Sequence, residues 1–174
     1  MSIMENVSPL EYMQTVAGFV PESLHGARVA TGVSFKNYRR CVVLFVKGLG
    51  TAGNDPSLTI EQATDMTFDV AKPLPFTDVY TKEDATTLNN VGQRTHVTQA
   101  AADSYTDAGV AERMAVWEIA FKAEDLDIAN GFTCLRAQVS DVGTAGAGDL
   151  GTVIYLMMDP YFAGLPEDLP SAID

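Results

Sequence analysis

Hydrophobic and polar positions alternate most clearly between Ala115 and Arg136, AVWEIAFKAEDLDIANGFTCLR. Trp117, Ile119 and Phe121 fall on one side of an extended chain, with Glu118, Ala120 and Lys122 on the other. That period of two predicts a strand with one buried face. A polar connection ending in Asn130-Gly131 leads to a further strand over 132–139. Cys41 to Val46 is a continuous apolar run rich in β-branched and aromatic residues, which predicts a strand covered on both faces. Leu58, Ile60 and Gln62 alternate with Thr59, Glu61 and Ala63 and predict another. Val70 to Tyr80 holds Pro73 and Pro75, so it is expected as an extended edge or loop. Thr86 to Gln99 reads as one or two weak strands, interrupted at Asn89-Asn90 and Gly92. A loop with Gly143, Gly146, Gly148 and Gly151 precedes a last strand, Thr152 to Met158. Short strands separated by turns argue for a mostly-β fold, a single β-sandwich or jelly-roll-like barrel.

The two ends read differently. Ser8-Pro9-Leu10-Glu11 has the form of a helix start, with Ser8 as cap, Pro9 at the first helical position and Glu11 completing a capping box. Leu10, Met13, Val16 and Ala17 would be the apolar stripe of about two turns, ended by Gly18 and Pro21. Residues 1–32 are therefore expected as an arm with a short helix, 33–158 as the β domain and 159–174 as an extended tail. In that tail three prolines exclude a regular element, while Tyr161, Phe162, Leu165 and Leu169 supply apolar anchors. Arm and tail can each pack on the body or on a partner. If the arm makes the partner contacts, deleting residues 1–20 should weaken them without unfolding the body.

At 174 residues the chain suits one domain, large enough to bury about 70% of its unfolded surface without metal or disulfide. A hydrophobic content of 47% with 20% charged residues is ordinary for a globular protein. No apolar run approaches a membrane span, and the opening residues lack the pattern of a signal peptide. The net charge of −12 is uneven: residues 1–48 hold five Lys/Arg against three Asp/Glu, the remainder six against twenty. An acidic body repels phosphate backbones, which argues against nucleic-acid binding, while the mildly basic first part could grip an acidic neighbour.

Candidate chemistry adds little. Gly48-Leu49-Gly50-Thr51-Ala52-Gly53 matches G-x-G-x-x-G, but Asn54-Asp55-Pro56-Ser57 and a strand follow it where a nucleotide site needs a helix. A hairpin loop accounts for those glycines. An EF-hand starting at Asp125 would find Ala129 and Asn130 at its fifth and sixth positions and Arg136 in place of the bidentate Glu. Asp125 and Asp127 are expected in turn hydrogen bonds, with Leu126 and Ile128 anchoring the corner. Cys41 and Cys134 suit buried free thiols, and Trp117 lies too far from Cys41 for an immunoglobulin core. His25 and His96 have no ligand at close spacing. No catalytic, cofactor-binding or metal residue is assigned, and a non-enzymatic protein is expected.

The block Ile119 to Arg136, with its core Asp125-Leu126-Asp127-Ile128-Ala129-Asn130-Gly131-Phe132, resembles a segment recurring in small structural proteins of tailed bacteriophages. In those proteins an early strand follows a loop-Asn-Tyr phrase, here Lys36-Asn37-Tyr38 before Cys41 to Val46. Their last strand is followed by an aromatic, here Val153 to Met157 and then Tyr161. The resemblance covers roughly residues 33 to 162 and is similar to head decoration (cement) or minor capsid proteins. It implies a virion protein assembled in the host cytoplasm, with the major capsid protein as partner and a homo-oligomer, a trimer by preference. A tail or fibre component recognising a surface glycan is the alternative.

Overall fold

The computed structural model describes residues 8–143, 149–162 and 164–174. The part of the expected glycine-rich loop over 144–148 lies outside them. At the start, Ser8 and Glu11 do form the capping box, but around one 3₁₀ turn, Pro9–Glu11. The next residues extend into strand β1 (Met13–Ser23). The expected two-turn helix is thereby corrected: a capping box specifies how a helix begins, and here pairing with another strand outcompetes its continuation. Residues 13–20 belong to β1 and pair with β12, so deleting residues 1–20 would remove most of a sheet strand along with the arm.

Eleven further strands follow: β2 (Arg28–Val29), β3 (Val33–Ser34), β4 (Tyr38–Lys47), β5 (Ser57–Ala63), β6 (Ala71–Pro73), β7 (Phe76–Asp84), β8 (Thr95–Ala102), β9 (Ser104–Thr106), β10 (Met114–Lys122), β11 (Cys134–Val139) and β12 (Leu150–Pro160). They form two antiparallel sheets. The larger has the order β1-β12-β4-β10-β7-β8; the smaller runs β2-β11-β5-β6, with β3 on β11 and β9 on β5. Among the described residues the sheets do not close into a barrel, and the larger has unpaired edges at β1 and β8.

The core lies between the sheets. Phe45, Trp117, Ile119, Val153 and Tyr155 come from the larger sheet and meet Leu58, Ile60, Leu135 and Val139 from the smaller. Trp117 packs its ring against Phe45 at 5.3 Å and edge-on to Tyr105 at 4.8 Å. Tyr155 of β12 accepts the backbone N–H of Ala137 in β11 at 2.9 Å, a buried hydrogen bond tying one sheet to the other. Pro73 sits in edge strand β6, as a proline should. The segment expected to be only an edge also contributes β7, an inner strand between β10 and β8. The connection 123–133 crosses between sheets instead of closing a hairpin. Leu126 is buried there as expected, but Ile128 is 53% exposed and does not anchor the corner.

The tail folds back on its own domain. The Tyr38 hydroxyl donates to the Pro170 carbonyl at 2.6 Å, Asn37 Nδ2 to Ser171 at 3.0 Å, and Ser34 N–H to Ala172 at 2.8 Å. Tyr161 N–H in turn donates to the Asn37 carbonyl. The Lys36-Asn37-Tyr38 phrase and the aromatic after the last strand therefore belong to one tail clasp.

Candidate functional site

The feature most open to a partner is the outer face of the larger sheet. Because strand side chains alternate, β4 sends Cys41, Val43 and Phe45 into the core and Val42, Leu44 and Val46 outward. The apolar run 41–46 was expected to be covered on both faces; its second face is only half-buried. Register extends the outward set sideways. Val42 lies between Leu156 of β12 and Ala120 of β10, Leu44 between Ile154 and Glu118, and Val46 between Thr152 and Val116. Val42, Leu44 and Val46 of β4 and Thr152, Ile154 and Leu156 of β12 are of intermediate exposure, and none joins the core cluster.

Polar groups ring this apolar grid. Glu118 is held by Arg94 in a two-pronged ion pair, with Arg94 Nη2 at 3.2 Å from Oε1. On the next strand Tyr80 stacks on His96 of β8, ring centroids 4.7 Å apart, and His96 Nε2 lies 2.6 Å from Asp78. At the opposite corner Arg40 pairs with Asp159, and Arg39 lies over the Tyr161 ring at 5.0 Å. Arg28 pairs with Glu22. Much of the positive charge of the first 48 residues is thus engaged within the molecule.

The motifs singled out in the sequence have structural roles. The loop 48–56 carries the chain from β4 to β5, from one sheet to the other, so it is not a hairpin. Gly53 does adopt a positive φ of 84°. Gly50 is required for close approach, since a Cβ there would lie 1.8 Å from Asp149 Oδ1. Asp149 is 2% exposed and accepts Thr51 N–H at 3.1 Å and Asn54 Nδ2 at 3.2 Å, with His25 Nε2 at 3.2 Å. In the acidic connection, Asp125 caps Lys122 N–H at 2.7 Å. Asp127 pairs with Lys72 and takes Asn130 Nδ2 at 2.9 and 2.8 Å, contacts that hold its carboxyl below the usual range. These carboxylates are occupied by the fold's own donors. Among the described residues no group of three or more His, Cys, Asp or Glu is placed to hold a metal ion.

A polar clamp that sequence reasoning missed closes one end of the domain. Lys47, 2% exposed, donates from Nζ to the carbonyls of Val110, Ala111 and Arg113 at 2.9, 3.0 and 2.7 Å. Burial lowers its pKa, against the pull of Asp149, Asp55 and Glu83. Asp55 accepts the N–H groups of Gly109 and Ala111 from the same loop, at 3.0 and 2.8 Å. Nearby, Glu83 is raised chiefly by burial while accepting Trp117 Nε1 at 3.0 Å, and Tyr105 is pushed up to about 12, again chiefly by burial. Lys47 serves carbonyls rather than a substrate, so the clamp is architecture. A Lys at the end of an apolar run gives no local sign of burial; only its inward position in the alternation hinted at it.

Both thiols are buried, Cys41 in the larger sheet and Cys134 in the smaller, and burial raises the pKa of each. Thiolate reactivity is correspondingly suppressed. No described helix is long and apolar enough to cross a membrane. No protein-family model matches the chain, and no curated protein or solved structure shows significant similarity to it.

Proposed function

We propose that this protein is a non-enzymatic structural component of a phage-like particle: a β-sandwich head decoration or cement protein. It binds the major capsid protein on the outside of the shell and reinforces contacts between neighbouring subunits. The observation that carries the reading is the half-buried grid of Val42, Leu44, Val46, Ile154, Leu156 and Val116. A contiguous apolar surface with a polar rim is characteristic of a protein contact site. Many repeated copies sum modest affinities through multivalency, and lattice placement favours a symmetric homo-oligomer, a trimer by preference. Its location is then the virion, assembled in the host cytoplasm.

Quantitative mass spectrometry of purified particles tests the proposal. Hundreds of copies in simple ratio to the shell protein are expected. Leu44→Lys should abolish occupancy while leaving the thermal midpoint within a few degrees, because the side chain leaves no core cavity and its ammonium faces Glu118 across the strands. A few copies per particle would favour the tail or fibre reading, in which the Tyr80–His96 stack offers an aromatic platform to a glycan. Absence from particles would overturn both.

A further inference from the structure

We infer that the free edge of β1 is a docking site for an extended, basic segment of a partner protein, added as an extra strand of the larger sheet. The phase of the β1–β12 ladder comes from one bond: Asp159 N–H donates to the Tyr12 carbonyl at 3.1 Å. Opposed antiparallel pairs alternate between bonded and non-bonded. Gln14 and Val16, opposite Met157 and Tyr155, therefore face β12. Met13, Thr15 and Ala17 direct their N–H and C=O groups to the other side, where no described strand pairs with β1. The free stretch ends at Gly18, whose carbonyl takes Thr31 N–H at 2.8 Å. A side chain at Gly18 would collide with Ala30 Cβ and Val153 Cγ1, both at 2.9 Å, so the chain seals there at close quarters.

A slot of the right form lies beside this stretch. It has a volume of about 630 Å³ and runs between Gln14–Ala17 on one wall and Leu169, Ala172 and Ile173 of the tail on the other. Five free residues extend about 17 Å. Edge strands left unpaired are normally blunted by inward charges, proline or a cover. Here the free stretch Met-Gln-Thr-Val-Ala has neither charge nor proline. The tail, held by Tyr38 and Asn37, stands off from the edge and leaves the slot.

Charge selects the occupant. The slot walls are neutral, and the acids next to its lining residues in the chain, Glu11, Glu167, Asp168 and Asp174, outnumber the cations of that corner, Lys36 and Arg39, since Arg40 is paired with Asp159. A strand with alternating small apolar side chains and Lys or Arg at its ends would pair backbone to backbone with Thr15 and place its cations against that rim. The inference stands whether or not the partner belongs to a capsid.

A capped peptide, Lys-Val-Thr-Val-Thr-Val-Lys, titrated into the full chain and followed by NMR and amide hydrogen exchange, tests this. Saturation should slow exchange at Thr15 and Ala17 by about tenfold or more, with no such protection on β8. Replacing the terminal lysines by glutamates should weaken binding about tenfold at low salt, the gap closing near 1 M salt. N-methylation of alternate peptide residues should abolish binding. Thr15→Pro removes only an outward N–H, which an edge strand tolerates, and should abolish binding at an unchanged thermal midpoint. If that variant does not fold, the methylated peptide on the unaltered chain decides. Absence of protection at saturation, or binding that survives methylation, overturns the inference. Concentration-dependent protection of the same amides without peptide also overturns it, by giving the edge to a second copy of the chain.

Discussion

Replacing Lys47 by methionine isolates the clamp that holds the loop between β9 and β10. The apolar stem survives and the ammonium is lost, taking three charge-assisted hydrogen bonds of 2.7–3.0 Å with it. The Val110 carbonyl keeps a partner, since Arg113 N–H also donates to it at 3.0 Å. The loss therefore falls on the Ala111 and Arg113 carbonyls, each costing about 1–3 kcal/mol if left unpaired in the interior. Relief of the buried ammonium's desolvation, the cause of its lowered pKa, offsets part of this. A net loss of about 2–4 kcal/mol is expected. Unfolding entropy is about 2.1 cal/mol/K per residue, or about 0.37 kcal/mol/K for a chain of 174 residues. The thermal midpoint should fall by about 5–11 °C. Urea unfolding followed by Trp117 fluorescence is the assay, with Lys36→Met as an exposed control expected within about 0.5 kcal/mol of the parent. A loss below about 1 kcal/mol for Lys47→Met would refute the clamp, because the carbonyls would then have found other donors.

Further outcomes follow from the same geometry. Gly50→Ala drives a Cβ into the buried, hydrogen-bonded Asp149 carboxylate and to 2.9 Å from the Ala111 carbonyl. It should cost about 2–3 kcal/mol in a thermal melt. Gly53→Ala, with open space but a positive φ, should cost only about 1 kcal/mol. Tyr155→Phe leaves the buried Ala137 N–H without its acceptor and should lose about 1–3 kcal/mol by urea denaturation. Five carboxylates are held below their ordinary values: Asp65 by Thr67, Asp78 by the Thr77 hydroxyl and His96, Asp84 by Thr87 and Thr86 N–H, Asp127 by Lys72, and Asp141 by Gly26 and Gly143 N–H. Their contribution is present above the unfolded value of about 3.9 and lost as pH falls through the folded values. The midpoint should thus drop below about pH 4, and Asp84→Asn should lessen that drop. Glu83, raised by burial, has the opposite sign: its ionisation costs stability as pH rises, so Glu83→Gln should raise the midpoint at pH 7.

Much of the strand content was written locally. Trp117, Ile119 and Phe121 announce their buried face because alternation is a property of one strand and its two sides. The same holds for Leu58 and Ile60. The capping box at Ser8 and Glu11 was equally legible, yet it predicted the wrong element after it, because Met13 onward is decided by β12, more than 130 residues away. Local signals name an element's start and its faces. They do not name its neighbours.

The candidate surfaces depend on those neighbours. Val42, Leu44 and Val46 look like the second buried face of a central strand, and the two-sheet arrangement of the described residues leaves them only half-buried. The free side of β1, the slot against the tail and the burial of Lys47 likewise arise where distant segments meet. The sequence alone determined which residues want to leave water and which turns the backbone can make. Tertiary structure decided which apolar faces found a partner inside the chain, since one antiparallel pairing satisfies a strand's hydrogen bonds on one side only, and cover for its second face must come from elsewhere.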